Sequence, residues 1–293
     1  MKKLKCPNKR ALFCVLLSLN YGEKVSDYGK KNRRFILEHQ ISPCDVLHLS
    51  RYTPTIIARL THDKIKSIKR DARCVFVNTW KDNPPKKASE KILSLISAEL
   101  VQPDTSKKAV LGMISAEREI FSPESPQLTA PYEQGKISVL PYSLPPIPAL
   151  HPSVVLSQLI GESVTVDGEV YRGIAEGASV IFSTSETSTD VLNAIEDFLD
   201  MGVRIINFSA GFLNPEGYSD FDRQIDRLIE NTDLIFVTAS GNRRVVTSPG
   251  ISFNSLTVGN LQTSSSTGVA LSPPWNSFCI NGVNCSGYLA DDT

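Results

Sequence analysis

The chain has 293 residues, of which 41% are apolar and 21% are charged, and its formal net charge is zero. This composition is typical of a soluble globular protein and excludes the disordered and fibrous classes. The length is sufficient for one large domain or for two ordinary ones.

The charge is unevenly distributed along the chain. Residues 1–90 hold 20 Lys and Arg against 8 Asp and Glu, whereas residues 91–293 hold 11 against 23. Such a split favours two units that attract each other electrostatically. A basic front end is also typical of nucleic-acid binding, but no basic patch interleaved with aromatic residues and no known nucleic-acid motif accompanies it. We therefore expect no nucleic-acid partner.

The first 20 residues combine a basic start with a short apolar run at residues 11–17. The run is long enough for the core of a signal peptide and too short to span a bilayer. No small-residue cleavage site follows it. Two interpretations stay open: a signal segment over residues 1–20, which predicts secretion, or the first strand or helix of a cytoplasmic protein. Neither interpretation predicts a stable membrane span.

Residues 21–85 are predicted to form a small α+β domain. Thr55–Leu60 is typical of a strand, and Thr61 can cap a helix with apolar residues at helical spacing. Cys74–Val77 predicts a second strand, which completes a β-α-β unit. The polar, proline-containing run at residues 81–87 predicts a linker and a domain boundary.

Residues 88–293 are predicted to form an α/β domain, because strands alternate with helices of about ten residues. This pattern predicts a parallel sheet with helices on both faces, preceded by the small α+β domain. The proline-rich span 123–148 predicts a long surface loop, and Thr189 is the predicted cap of the helix at 190–201. Strands are predicted at 109–114, 179–182, 203–208, 234–237 and 256–259, and helices at 88–100, 154–160, 190–201 and 221–230.

The run from Leu234 to Asn242 joins a buried strand to a series of small residues. Continuous apolar residues favour a strand that is buried on both faces, and the small residues after them let another backbone approach. Asn242 would lie at the carboxyl end of the strand, where open α/β sheets bind ligands. Its amide could stabilise charge that forms on a substrate. The alternative is that Gly241-Asn242 only ends the strand.

Five blocks of sequence, in this order and spacing, resemble the subtilisin-like serine proteases, the subtilases. They begin with His151-Pro152-Ser153-Val154-Val155 and continue at residues 171–178, 205–211, 239–242 and 254–259. The resemblance covers roughly residues 109–260 and implies a subtilisin-like fold and the hydrolysis of peptide bonds. Residues 51–80 resemble the inhibitory propeptide that precedes many subtilase catalytic domains. This implies a zymogen with residues 88–293 as its catalytic domain, and the chain's own N-terminal segment as a partner.

The resemblance assigns roles to individual residues. His151 matches the general base, which takes a proton from a serine hydroxyl and passes it to the leaving amine; a helix-capping or surface histidine is the alternative. Asn242 matches the asparagine of the oxyanion hole. A polypeptide substrate would pair with one strand of the domain. A second segment would form the opposite wall of the pocket that receives a substrate side chain. The strand is Ser209, Ala210 and Gly211, and the wall is Ala239, Ser240 and Gly241.

Two departures from the family pattern bear on activity. Ser115 stands where the catalytic aspartate is expected, and Glu117 either orients His151 or is an ordinary loop acid. The Gly-Thr-Ser block that carries the nucleophile is not found in the sequence. Ser286 is the only late candidate for the nucleophile. We therefore expect a catalytic domain that is incomplete at its C-terminus. The alternative function is a non-catalytic protein that binds extended peptides.

The sequence predicts no required cofactor. Many subtilases bind calcium, but no cluster of Asp and Glu here would supply its oxygen ligands. The six cysteines and four histidines show no metal-ligand spacing.

Overall fold

The computed structural model describes residues 12–22, 27–81, 86–87, 109–142, 144–166, 168–213, 217–241, 246–259, 277–280 and 283–286. The chain divides into two compact units, Met1–Asp82 and Asn83–Thr293. The division falls within the predicted linker at residues 81–87.

The first unit is a four-stranded antiparallel sheet with two helices, in the chain order β-α-β-β-α-β. The strand order across the sheet is β2-β3-β1-β4. Its elements are β1 (Phe13–Leu19), α1 (Tyr28–Glu38), β2 (Val46–Leu49), β3 (Thr55–Leu60), α2 (His62–Ile68) and β4 (Cys74–Thr79).

Alternating apolar residues build the core of this unit. Leu17 of β1 and Ile56 of β3 lie in one buried cluster with Phe35 of α1. Thr61 caps α2 through its side chain, as predicted. Residues 13–19, for which both a signal core and a first strand were open, form a strand that pairs with β3 on one side and β4 on the other.

The second unit contains a six-stranded parallel sheet flanked by helices. Its helices are α3 (Thr129–Glu133), α4 (Leu150–Ile160), α5 (Ser188–Asp200) and α6 (Asp220–Asn231). Its strands are β5 (Lys86–Lys87), β6 (Val110–Ser115), β7 (Glu119–Ile120), β8 (Ile137–Val139), β9 (Ile147–Pro148), β10 (Val164–Val166), β11 (Glu169–Tyr171), β12 (Ser179–Thr184), β13 (Ile205–Phe208), β14 (Ala210–Gly211), β15 (Ile235–Ala239), β16 (Leu256–Val258), β17 (Ser277–Ile280) and β18 (Val283–Ser286).

The parallel sheet has the order β16-β15-β13-β6-β12-β8, so the first long strand, β6, lies in its interior. Successive residues of β6 face opposite helices. Met113 belongs to the buried cluster that contains Leu156 of α4, whereas a side chain on Gly112 would meet Phe198 of α5. Helices therefore cover both faces, which explains the continuous apolar runs of these strands. The predicted α/β fold class is confirmed.

Two local predictions in this unit are wrong. The span 123–148 is not one irregular loop, because it contains α3 and supplies β8, the edge strand of the sheet. β8 has only three residues between turns and prolines, which is too short for an alternating pattern to be visible. The cap of α5 is Thr187 rather than Thr189, because Thr187 forms the reciprocal capping box with Asp190.

We expect the Gly112→Ala substitution to destabilise the second unit. A Cβ at this position would lie 2.7 Å from Cδ2 of Phe198 and 3.1 Å from Cγ1 of Ile206. Both neighbours are fully buried and cannot move aside, so overpacking should cost about 1–3 kcal/mol. Urea unfolding measures the loss. Gly259→Ala is the control, because its Cβ would meet only Ser240 Oγ at 3.5 Å. An equal effect of both changes would contradict the packing described here.

Candidate active site

The candidate residues lie at the carboxyl ends of three neighbouring strands. Ser115 is the last residue of β6, Ser209 follows β13, and Ser240 follows β15. These strands are adjacent and parallel, so their ends share one edge of the sheet. Ligands bind at this edge in open α/β sheets, at the point where the strand order changes direction. Here β6 has β12 on one side and β13 on the other.

Ser115 occupies the buried end of β6, the position at which the resemblance calls for an aspartate. Its side chain is 3% exposed, and its hydroxyl donates to the carbonyl of Ala116 at 3.4 Å. Its own carbonyl accepts from the backbone N–H and the hydroxyl of Ser185, at 2.8 and 2.7 Å. The position that the resemblance assigns to the catalytic aspartate therefore holds a neutral hydroxyl.

Glu117 lies in the tight turn that follows Ser115. Glu117 and Arg118 both have left-handed backbone conformations, with φ of 54° and 58°. The Glu117 side chain is exposed. Its predicted alternatives, a carboxylate that orients His151 and an ordinary loop acid, both stay open.

His151 is brought to this edge by the segment that follows the turn. β7 pairs in parallel with β9, and the backbone N–H of Ala149 donates to Ile120 at 2.9 Å. α4 then begins at Leu150, so His151 lies in its first turn. The hydroxyl of Ser153 accepts from the Ser122 N–H at 2.8 Å and so ties the same turn to the same loop. The structure thereby joins the chain after Ser115 to the chain before His151.

The His151 ring contacts the end of β13. Its Nε2 lies 3.2 Å from the carbonyl oxygen of Ser209. A carbonyl oxygen only accepts, so Nε2 is the donor here, and in a neutral ring the other nitrogen carries the lone pair. The imidazole is half-buried and is adjacent to the strand that the resemblance assigns to substrate binding. His151 and Ser209 are thus brought together at this edge of the sheet.

Ala210 and Gly211 form a strand, β14, whose partner comes from elsewhere in the chain. β5 pairs with it antiparallel, with Lys86 opposite Gly211 and Lys87 opposite Ala210. A segment in extended conformation therefore lies along the predicted substrate-binding strand. The sequence contains no strand signal at Lys86–Lys87, because two lysines after two prolines resemble a linker.

The opposite wall contains Ala239 at the end of β15, followed by Ser240 and Gly241. The Ser240 N–H donates to Val258 of the neighbouring strand at 2.8 Å. Gly241 has φ of 94°, a left-handed backbone conformation that favours glycine. Asn242, the predicted oxyanion-hole residue, lies outside the described residues, so that role stays a prediction.

Ser286 is the last residue of β18, which pairs with β17 in a two-stranded antiparallel hairpin. Ser286 is opposite Ser277 in that hairpin. A strand end differs from the helix-opening turn that carries a subtilase nucleophile in the resemblance.

A buried carboxylate supports the loop beside the second wall. Asp222 of α6 is fully buried and accepts from the Ser219 N–H at 2.8 Å and from the Ser248 hydroxyl at 2.7 Å. Burial raises the pKa of Asp222, and the hydrogen bonds from Ser219 and Ser248 act in the opposite direction. Ser219 and Asp222 form a capping box at the start of α6. Their spacing in the sequence is the signal that predicts this helix start.

Within the described residues, no group of three or more His, Cys, Asp and Glu side chains is arranged to hold a metal ion. In that same part of the chain, no helix is both long and apolar enough to cross a bilayer.

One family model and several solved structures match this chain. Residues 157–287 match the family model of the subtilases, a range that begins six residues after His151. No curated protein matches the chain.

Three solved structures match the chain, and the first two, with TM-scores above 0.5, share its fold. The S393A mutant of EpiP from Staphylococcus aureus, an epidermin leader peptide processing serine protease, is 12% identical, with a TM-score of 0.56 over 85% of this chain and 70% of its own. Fervidolysin from Fervidobacterium pennivorans, a keratinolytic enzyme related to subtilisin, is 14% identical, with a TM-score of 0.54 over 87% of this chain and 44% of its own. The prenylagaramide maturation protease PagA is 22% identical, with a TM-score of 0.41 over 52% of this chain.

The chain spans 53% of the PagA chain and 44% of the fervidolysin chain. At these identities the structural likeness concerns the fold. Residues 157–287 thus match the subtilase family model, and the parallel sheet has the subtilisin-like fold.

Proposed function

We propose that the chain acts on polypeptides as a subtilisin-type serine endopeptidase that is made as a zymogen. The observation that carries this proposal is the extended segment at Lys86–Lys87, which pairs with Ala210–Gly211. That strand follows directly after Ser209, whose carbonyl contacts His151. A peptide-binding strand and a histidine are thus adjacent at the ligand-binding edge of the sheet.

Binding would proceed by addition of a strand. An extended polypeptide supplies its own N–H and C=O groups to the backbone of Ala210 and Gly211, so affinity comes from the main chain. Small side chains on the receiving strand let the incoming backbone approach closely. This mode explains why the substrate class is polypeptide in extended conformation rather than a small molecule.

Hydrolysis would follow the general-base route. A serine hydroxyl attacks the carbonyl carbon of the bound peptide, and His151 takes the hydroxyl proton and passes it to the leaving amine. Water then attacks the resulting ester with the same histidine as base, which releases the acid and restores the serine. Asn242 is the proposed donor to the oxyanion that forms. No cofactor enters these steps.

The first unit is proposed to act as an inhibitor-like propeptide. Residues 51–80 carry the resemblance, and Lys86–Lys87 follow this unit along the chain. The chain's own N-terminal segment would thus be the first polypeptide that the binding strand meets. Secretion through residues 1–20 remains a prediction, with a cytoplasmic protein as its alternative.

A second candidate function is a non-catalytic protein that binds extended peptides on the same strand. Ser115 favours it, because a hydroxyl replaces the carboxylate that should orient the histidine. In this alternative the binding strand keeps its role and His151 serves no chemical step.

Main-chain pairing predicts a specific effect of backbone methylation on peptide binding. The probe is a labelled peptide with residues 84–90 of this chain, measured against the intact protein by fluorescence anisotropy. Methylating the amide nitrogens of both lysines should weaken apparent affinity roughly 2- to 13-fold, because only one of two successive N–H groups faces the partner strand and the hydrogen bond it makes contributes about 0.5–1.5 kcal/mol. A peptide methylated only at the amide nitrogen of its last residue, Glu90, is the matched control. Equal affinity of all three peptides would contradict strand addition and both candidate functions.

A further inference from the structure

The side chain of Thr247 lies against both walls of the predicted specificity pocket. A Cβ placed on Gly211 would clash with the Thr247 hydroxyl and would lie 3.0 Å from Thr247 Cβ. A Cβ placed on Gly241 would lie 2.7 Å from the same hydroxyl and 2.8 Å from Thr247 Cγ2. One threonine therefore fills the space that the two glycines leave open.

Thr247 is held in this position from both sides. Its backbone N–H donates to Ser240 at 2.9 Å, and its hydroxyl lies 3.3 Å from the same carbonyl. The next residue, Ser248, exchanges two backbone hydrogen bonds with Phe212, at 2.6 and 3.1 Å. Its hydroxyl is bound to Asp222 at 2.7 Å. Thr247 is only 7% exposed, so it cannot swing away without breaking contacts to both walls.

We propose that Thr247 determines substrate specificity by closing the pocket to any side chain larger than that of alanine or serine. The inference rests on the proposed function, because it concerns the same peptide-binding site. It names the substrate class more narrowly: extended polypeptides with glycine, alanine or serine at the residue that enters between the walls.

The register of β5 indicates which substrate residue this is. Lys86 is opposite Gly211 and Lys87 is opposite Ala210, so a polypeptide bound in this register continues toward Ser209 and His151. The residue after the two paired positions is therefore the one nearest the histidine. In the sequence of this chain that residue is Ala88, which has the size that the closed pocket admits.

The test uses a series of labelled peptides Pro-Pro-Lys-Lys-X-Ser-Glu, with X as glycine, alanine, leucine or phenylalanine, and apparent affinity for the intact chain is measured. We expect the leucine and phenylalanine peptides to bind roughly 10- to 200-fold more weakly than the alanine peptide, the range that misfit in an apolar pocket produces. The Thr247→Gly variant should reduce this difference to less than about threefold, because it removes every side-chain atom between the walls.

Two further variants distinguish closure from loss of folding. Thr247→Val keeps the branched shape and removes the hydroxyl, so it should retain the size selection of the wild type. Thr247→Ser removes the methyl that faces Gly241, so the penalty against leucine should decrease partially. A wild-type chain that binds alanine and phenylalanine peptides equally would overturn the inference and leave the proposed function standing. A chain that binds none of the four peptides when Lys86→Pro and Lys87→Pro have freed the strand from its own segment would overturn both.

Discussion

Replacing His151 with alanine should lower the rate of peptide-bond hydrolysis by about 100- to 10,000-fold, the usual contribution of a general base. The reason is positional: the ring is half-buried beside the carbonyl of Ser209, at the end of the strand that receives the peptide. Without the ring, the attacking hydroxyl has no group in place to take its proton. The rate is measured with an internally quenched peptide that contains Lys-Lys-Ala, and products are identified by mass spectrometry.

The peptide affinity should change little in the same variant, because main-chain pairing with Ala210–Gly211 does not require the imidazole. His62→Ala is the matched control, since this exposed histidine begins a helix in the other unit. If His151→Ala retains more than half of the wild-type rate, the histidine is not the general base, and its contact to Ser209 is structural.

Asp222→Ala should destabilise the second unit by about 2–3 kcal/mol. Ser219 and Ser248 lose their common acceptor, and α6 loses its capping box. The loss is smaller than the broken hydrogen bonds from Ser219 and Ser248 alone would give, because the substitution also removes the cost of burying a carboxyl group. Urea unfolding, followed by far-ultraviolet circular dichroism, measures the change.

The control for Asp222 is another acidic residue of the same helix. Glu230 is exposed at the carboxyl end of α6, so Glu230→Ala should change the free energy of unfolding by less than about 0.5 kcal/mol. Asp222→Ala should also weaken the size selection at the pocket, because Ser248 anchors the residue next to Thr247. Stability equal to that of Glu230→Ala would show that the buried carboxylate does not hold the loop.

The long strands of the sheet could be predicted because each is a continuous apolar run covered on both faces. β6, β13 and β15 therefore emerge from the sequence near their observed bounds. β8 could not be predicted, because three residues between turns do not establish a period. α1 carries four Lys and Arg residues in eleven, and its apolar face is too narrow to stand out.

The residues of the candidate site also fall into those that the sequence could predict and those that it could not. His151 and Ser209–Gly211 could be located because each lies in a contiguous block with a recognisable order. Thr247 could not, because its role comes from contact with Gly211 and Gly241, which lie far apart from each other in sequence. β5 could not be predicted from the sequence either, because a strand formed by pairing with a distant segment needs no apolar pattern of its own.

Whether a bound peptide is cleaved tests the proposed function most directly. The intact chain is incubated with the Lys-Lys-Ala peptide, with and without a fluorophosphonate reagent that labels activated serines, and both the peptide and the protein are analysed by mass spectrometry. The account predicts cleavage of the peptide, loss of that cleavage after labelling, and one labelled serine. Binding of the peptide with neither cleavage nor labelling would contradict the endopeptidase and would make this chain a peptide-binding protein on a subtilisin-like fold.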